Sequence, residues 1–473
     1  MPPLQRPEIL KSIVLPPRSA AVAAEADVLV VGGGPAGIGA ALGAAEAGAE
    51  VILAERYGFL GGNATAALVM PLMSYYSENT RMDSEAATTL LPADHGPGEA
   101  AIAGVLKLLV ERLVRAGGAI PPSQETGYVV PFDPELFKCA VLDLLDKAGI
   151  SYLLHAFAGE VIGAKSVEGV VFATKSGPVI IRAKAIVDTT GDGDIAAWAG
   201  ASYEVGRETD HLVQPMTLMF RMIGFENREF FSYVKENPRQ WQGVHGLWEL
   251  ISRAQKAGEL DLTREDILFF ATPHQGEVSV NSTRIMKVLG TDVWDLTYAE
   301  WEGRRQVAQI ASFLKRHVPG FEQSYAVQSG VQVGVRESRR ITGDYCLTAE
   351  DILQARKFAD VIARGSYPID IHNPKGKGTI LKRLPLGETY DIPLRCLVPR
   401  GIDNLLVAGR CISGSHEAHS SYRVMPISMA TGQAAGVCAA LAVRHTMSPR
   451  QLDVAMVQKE LLRQGADLGP SGV

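Results

Sequence analysis

Residues 27–55 constrain this chain more than any other stretch. Val28 to Val31 is a short, mostly β-branched apolar run, as in a strand buried on both faces of a parallel sheet. Gly32, Gly34 and Gly37 follow in a Gly-x-Gly-x-x-Gly spacing, with Pro35 and Ala36 between the last two. Val51 to Ala54 reads as a second buried strand, and it runs into Glu55 and Arg56. Strand, glycine turn, helix, strand and acid form the order a bound dinucleotide requires. Gly32 allows the sharp turn, Gly34 admits a pyrophosphate to the backbone, and Gly37 lets the helix approach the strand. The helix start adds unpaired N–H groups that favour an anion. Gly37, Ala41, Ala45 and Gly48 share one helix face, which predicts tight packing on the sheet. The Glu55 carboxylate suits both hydroxyls of an adenosine ribose and repels a 2′-phosphate, so FAD or NAD is expected.

A chain of 473 residues exceeds one simple core, so two intertwined domains are expected. A net charge of −6 provides no footprint for nucleic acid. No stretch reads as a membrane span, and residues 1–24 read as an arm without a signal-type apolar run. The five cysteines are scattered without a Cys-x-x-Cys pair, which argues against disulfides and structural zinc and for a reducing cytoplasm. Asn79 to Gly98 reads as an irregular loop within an excursion at about 75–128.

Further pieces of a nucleotide site recur along the chain. Asp133-Pro134-Glu135 starts a helix that Gly149 ends, and Ser151 to Leu154 opens a strand. Gly169–Ala173 and Val179–Ile181, joined at Ser176-Gly177, read as a hairpin. Ala185 to Asp188 reads as a separate buried strand before Thr189-Thr190-Gly191-Asp192-Gly193-Asp194. That motif could be a calcium loop, but EF-hand spacing is absent, and a sheet edge touching the nucleotide fits better. Asn404 to Arg410 is a strand ending at Gly409. After a polar loop, Met425-Pro426 leads into a helix over Ile427 to Leu441 rich in Ala and Gly, including Gly432. Such a helix can lie against a planar ligand, pack tightly on the sheet, or do both.

These units, with Gly58 to Thr65, resemble the glutathione-reductase-type FAD fold. Thr190–Asp194, Gly334–Tyr345 and Gly409–Ser413 running to Pro426 are similar to the bacterial FAD-dependent oxidoreductase family related to succinate dehydrogenase and fumarate reductase flavoproteins. The resemblance implies an α/β fold: a Rossmann-like FAD-binding domain (25–209 and 386–473) with an inserted α+β substrate or cap domain (210–385). It implies that Gly32, Gly34 and Gly37 hold the pyrophosphate and Glu55 the ribose, with Arg56 near the adenine. Gly61, Gly62, Asn63, Ala64 and Thr65 would line the pyrophosphate-to-flavin side, Ala158 would meet adenine, and Thr190 and Gly191 would touch the nucleotide. Gly409, Arg410, Met425 and Gly432 would sit by the ribityl chain and flavin. The succinate dehydrogenase relatives attach FAD through a histidine, and Glu55 to Thr65 contains none, so non-covalent FAD is expected.

Two clusters are candidates for the chemistry. Arg336, Glu337, Arg339 and Arg340 crowd together, either as an ion-pair network fixing the cap or as a guanidinium site for a substrate carboxylate or the flavin edge. His416, His419 and Arg423 stand before the glycine-rich helix as acid–base and anion-binding candidates. A metal at His416, Glu417 and His419 lacks a third convincing ligand and a regular helix, so none is expected. His372 is a weaker pocket candidate. Trp241, Trp248, Phe269 and Phe270 could form an apolar pocket wall or a subunit interface. Hydride exchange between FAD and a small oxygenated or carboxylated molecule is the leading expectation. The alternatives are a monooxygenase using NAD(P)H and oxygen, though no second Gly-x-Gly-x-x-Gly is present, and a relay to a partner electron-transfer protein. A homo-oligomer is compatible with either.

Overall fold

The computed structural model describes residues 12–14, 16–17, 19–78, 90–91, 98–163, 165–376 and 378–470. Most of the loop expected over 79–98, and the first part of the expected arm, lie outside the described residues.

The chain enters through β1 (Ala21–Val31), so the arm ends earlier than residue 24. Helix α1 (Pro35–Glu46) and β2 (Val51–Ala54) complete the first unit. Next come α2 (Val105–Arg115), α3 (Pro134–Lys147), β3 (Ser151–Leu153), β4 (Phe157–Ile162), β5 (Gly169–Thr174), β6 (Gly177–Asp188), α4 (Asp194–Trp198) and β7 (Tyr203–Val205). The excursion expected to be irregular therefore contains a helix, α2, whose Leu106, Leu109 and Leu113 are buried. Asp133 caps α3 as its sequence predicts, accepting from Glu135 N at 2.7 Å and Leu136 N at 2.9 Å. The hairpin and the strand after it are one element. β6 runs unbroken for 12 residues, pairing antiparallel with β5 and parallel with β1. No turn residue interrupts Arg182-Ala183-Lys184, so the strand simply continues.

An antiparallel layer follows. It comprises β8 (Phe220–Ile223), α5 (Asn227–Glu236), β9 (Trp241–Gln242), β10 (His245–Gly246), α6 (Trp248–Lys256), β11 (Ile267–Ala271), β12 (Glu277–Val280), α7 (Val293–His317) and β13 (Tyr325–Ser329). Its strand order is β13-β8-β12-β11-β10-β9. Phe220, Phe230, Trp241, Phe269 and Phe321 fill its own core.

The chain then returns through β14 (Arg339–Ile341), α8 (Ala349–Leu353), β15 (Val361–Gly365), β16 (Ile369–His372), β17 (Thr379–Lys382), β18 (Tyr390–Pro393), β19 (Leu405–Val407), α9 (His416–Tyr422), α10 (Met425–His445) and α11 (Val454–Arg463). β14 pairs with β7, and β19 joins β6 in parallel. The main sheet thus runs β3-β2-β1-β6-β5-β4, with β19 alongside β6. Ile341, Val361, Ile369 and Leu384, expected in the cap, bury their side chains in the first core with α1 and α10. The result is a mixed α/β architecture.

Glycines set how α10 lies on α1. A Cβ at Gly432 would stand 2.0 Å from the Ala36 carbonyl oxygen, and one at Gly436 would stand 2.0 Å from that of Ala40. Reciprocally, Cβ atoms at Gly39 and Gly43 would meet the carbonyl oxygens of Met429 (2.2 Å) and Gln433 (2.6 Å). The small-residue face that matters on α1 therefore includes Gly39 and Gly43, because the helix is covered by another helix as well as by the sheet. α10 is long and apolar enough to cross a membrane by length and composition, contrary to the sequence expectation. Its length is buried in the first core, which is why it is apolar all round.

Candidate functional site

A groove opens at the C-terminal ends of β1, β2 and β6 and is bounded by the starts of α1 and α10. It is lined by Gly32, Gly34, Pro35, Ala36, Glu55, Arg56, Gly62, Asn63, Ala158, Thr190, Gly191, Gly409, Arg410 and Met425, which the structure brings together from the whole chain. Such a crevice at strand C-termini is where open α/β sheets place ligands. Neither helix start carries a capping side chain, so both leave donors to an anion. The glycine turns at Gly34 and Gly62 nearly touch, since a Cβ on Gly62 would fall 2.8 Å from the Gly34 Cα. This bare backbone cradle and the uncapped helix starts fit the pyrophosphate of FAD. Among the described residues no histidine or cysteine lines the groove.

Five expected cofactor residues line no part of it. Gly37 lies under the turn, where a Cβ would stand 1.8 Å from the Gly32 carbonyl oxygen. Gly61, with φ at 115°, and Thr65, whose Oγ1 donates to the Leu60 carbonyl at 2.8 Å, shape the turn that carries Gly62 and Asn63. Ala64 is core. Gly432 faces α1, so its small size serves helix packing rather than contact with a flavin.

Glu55 is buried, and its carboxylate already accepts from Gly33 N at 2.6 Å and Tyr57 N at 3.0 Å. Burial raises its pKa against those hydrogen bonds. It thus braces the glycine turn, and because Glu55 lines the groove, its two oxygens keep further lone pairs for donors there. Arg56 donates to Gln332 at 2.8 Å and lies over the Tyr57 ring, tying the groove to the antiparallel layer. Gln332 and Ser428 also line the groove, and neither is part of a recognisable turn or glycine spacing that would mark it in the sequence. Val335 lines it from within the Gly334–Tyr345 motif, where the arginines and the glutamate are the conspicuous residues.

The acids of the Thr190–Asp194 loop are committed to protein partners. Fully buried Asp188 accepts from Ala196 N (2.9 Å) and Thr190 Oγ1 (2.7 Å), and burial pushes its carboxyl up to about 6. Asp192 accepts from Ser338 Oγ at 2.6 Å and Arg410 at 3.0 Å. Among the described residues no group of three or more His, Cys, Asp or Glu could hold a metal.

A second cavity of about 540 Å³ adjoins the groove and shares Asn63, Val335, Arg410, Arg423 and Met425 with it. Met70, Met73, Met219, Trp248, Leu268 and Phe270 form its apolar wall. Trp248 and Phe270 are therefore cavity residues, whereas Trp241 and Phe269 are core. Arg336, Arg423, Asp370 and His372 contribute a polar face.

The arginine cluster divides by direction. Arg336 reaches the cavity, and its guanidinium donates only to neutral oxygens, the Pro215 carbonyl at 2.7 Å and Thr217 Oγ1. Burial and the neighbouring Arg423 push it down to about 9, with the Asp370 carboxylate opposing them. Arg340 turns inward to Glu337 at 2.6 Å and to the carbonyls of Gly414 and Gly206. Arg339 pairs with Asp194 at 2.7 Å and lies over Tyr203, outside the cavity, so it is not a catalytic candidate. The cluster makes protein contacts at Arg339 and Arg340 and faces the cavity at Arg336.

The histidines are reassigned too. Their expected polar loop is the short helix α9, capped by Ser415. His416 Nδ1 meets Glu337 at 2.8 Å, and His419 is fully buried against Tyr422. Neither lines the groove or the cavity, so the structure does not place either ring against a ligand there. Burial, reinforced by Arg340 and Arg423, holds His419 neutral. His372, on β16, is the histidine of this face that lines the cavity, beside Asp370 at 3.5 Å. Burial lowers it to about 4, with Arg336 and Arg423 adding to the effect and Asp370 opposing it.

A pH dependence follows. A histidine of ordinary value 6.5 when unfolded and about 4 when folded binds fewer protons in the native state between those values. Stability therefore falls as pH drops from 6.5 toward 4. His419 acts in the same sense. Unfolding at pH 5 should take up one to two protons from these groups, read from the slope of unfolding free energy against pH. Asp188, raised to about 6, releases a proton on unfolding over the same window, so the histidine part is read as the slope lost in His372→Gln. An unchanged slope in that variant would show that His372 is not held neutral.

Among solved structures, the chain is similar to a geranylgeranyl bacteriochlorophyll reductase-like protein from Thermoplasma acidophilum, at 15% identity, covering 93% of this chain and 84% of that one, with a TM-score of 0.43. It is similar to the p-nitrophenol 4-monooxygenase of Pseudomonas putida DLL-E4, at 12% identity, covering 93% and 85%, with a TM-score of 0.43. A myxobacterial chondrochloren halogenase matches at 13% identity, covering 93% and 79%, with a TM-score of 0.44. The search of curated proteins finds no match. The profile of the family described as FAD dependent oxidoreductase matches residues 27–461, nearly the whole chain, and the protein belongs to that family, with FAD as its cofactor.

Proposed function

We propose that this enzyme exchanges a hydride between non-covalent FAD and a small organic substrate bearing a carboxylate. Arg336 carries this reading: a guanidinium facing a cavity beside the FAD groove, with no carboxylate partner among the described residues. The nearest acid, Asp370, already lies 3.6 Å from Arg423 and 3.5 Å from His372, so two guanidiniums share one carboxylate. The excess positive charge favours an anion, and the Arg336 fork matches a carboxylate. Gly32, Gly34, Pro35, Ala36 and Gly62 would cradle the pyrophosphate, Glu55 the ribose and Ala158 the adenine. Gly409, Arg410 and Met425 would border the flavin. When bound, FAD supplies the two-electron acceptor. Arg336 and Arg423 fix the substrate's carboxylate, and the methionine and aromatic wall keeps water from the reacting carbon.

The wall also supports a second reading, monooxygenation with NAD(P)H and oxygen, because it can hold an apolar body. Anaerobic mixing with a panel of carboxylates separates the two. Bleaching of the flavin by a carboxylate alone supports hydride exchange. Bleaching only by NAD(P)H, with oxygen consumed in the presence of substrate, supports the second reading.

Two further results are expected. Acid precipitation should leave all the flavin in the supernatant, as the groove lacks a histidine or cysteine for attachment. Arg336→Met should retain FAD yet weaken carboxylate binding by about 1.5–3 kcal/mol, the range for hydrogen bonds to charged groups. Titration of flavin absorbance with benzoate reads this, and unchanged affinity would remove Arg336 from the substrate site.

A further inference from the structure

The antiparallel layer contributes a polar group to the cavity that the roles above leave unused. His245, on β10, and Asp266, just before β11, both line it. His245 Nδ1 stands 2.9 Å from Asp266 Oδ2. Arg264, which also lines the cavity, braces the acid, with Nε to Oδ1 at 2.8 Å and Nη1 to the Asn281 carbonyl at 3.1 Å. Burial works against ionisation of Asp266, yet His245 and Arg264 hold its carboxyl well below the usual range. An ionised acid on Nδ1 sets the tautomer with the proton there and leaves Nε2 as a proton acceptor. The Nε2 atom has no partner among the described residues, and the ring rests edge-on against Trp248. An imidazole fixed by a carboxylate, its free nitrogen in a ligand cavity, is the arrangement of a general base.

We infer that His245 Nε2 accepts the proton of a hydroxyl group on the bound substrate, with Asp266 and Arg264 as positioning residues, so that the substrate class is a hydroxylated carboxylate. The inference rests on the proposed carboxylate site at Arg336. In the step the O–H bond breaks, its electron pair stays on the substrate oxygen, and the proton forms an N–H bond at Nε2. The Nδ1 proton remains on the ring, where Asp266 stabilises the imidazolium. The hydrogen on the carbon bearing that oxygen would then depart as hydride, taking the C–H electron pair, as the carbonyl forms, and FAD when bound would supply the two-electron acceptor.

The test uses holoprotein at neutral pH with two probes, benzoate and 4-hydroxybenzoate. Ultraviolet difference spectra report whether the bound phenol has ionised. The wild-type protein should bind both and show the phenolate band with 4-hydroxybenzoate. His245→Gln and Asp266→Asn, checked for full flavin content, should bind benzoate as before and lose at least nine-tenths of that band. Loss in Asp266→Asn is informative because a merely structural acid would not alter the ionisation of a probe it does not touch. A phenolate band that persists in His245→Gln overturns the inference. So does benzoate binding by the wild-type protein without a phenolate band for 4-hydroxybenzoate. Benzoate binding that ignores Arg336→Met, with the phenolate band still dependent on His245, instead overturns the carboxylate assignment alone. Binding of neither probe overturns both.

Discussion

Gly432→Ala is expected to destabilise the protein by about 3 kcal/mol or more, at the upper end for an overpacked core. The added methyl would stand 2.0 Å from the Ala36 carbonyl oxygen, and both partners are helix backbone. Neither can turn aside as a side chain would, so α10 must move off α1. Ala36 also lines the FAD groove, so displacement at this level distorts the cofactor cradle. Gly436→Ala creates the same 2.0 Å conflict with Ala40 one turn further from the groove. The two variants should lose similar stability in the absence of FAD, while FAD affinity falls more in Gly432→Ala. Denaturant unfolding with and without added FAD separates the effects. A loss under 1 kcal/mol for Gly432→Ala would mean that the helix contact is looser than described.

Glu337→Leu is expected to cost about 3–5 kcal/mol, the range for breaking a buried ion pair from one side. Glu337 is enclosed, and its carboxylate meets Arg340, His416 Nδ1 and the Gln214 amide at 2.6, 2.8 and 3.0 Å. Removing it leaves the guanidinium of Arg340, whose side chain is only 2% exposed, with just the exposed Glu204 carboxylate at 3.5 Å as a counter-charge. The network joins three distant parts of the chain, so its loss should loosen the contact of β14 with β7 and α9. Glu337→Leu combined with Arg340→Met should recover part of the loss, since no buried charge then lacks a partner. Recovery stays incomplete because the Gly414 and Gly206 carbonyls lose their donor. A double variant no more stable than Glu337→Leu would show that the stranded charge is not the cause. Flavin content and benzoate affinity should change little in the folded fraction, because Arg336 faces the other way.

The contrast between neighbours Arg336 and Glu337 shows where sequence reading stops. Both belong to one run of charges, and linear order says nothing of which side chain faces a cavity. The extended segment before β14 turns successive side chains to opposite sides, one toward the cavity and one toward α9. The same limit applies to His416 and His419. Their position before the glycine-rich helix placed them near the flavin, but α9 turns both into the interior. Gly432 was legible as a small residue, yet whether it makes room for a ligand or a helix depends on which surface lies opposite.

What the residues determined alone is the local chemistry of the first unit and its pieces. The β-branched run, glycine turn, Pro35 at the helix start, Glu55 and the Asp133 cap each act within a few residues, so their order along the chain suffices. Groove residues from 32 to 425 were legible for the same reason, as each belongs to a strand end or helix start with a recognisable turn. Only the tertiary structure decided which faces met. The paired glycines of α1 and α10, the turning of Arg336 into the cavity, the neutral His372 and the braced His245–Asp266 pair arise from contacts between distant segments. Burial and packing direction set those contacts, and both belong to the folded surface opposite a residue rather than to its neighbours in the chain.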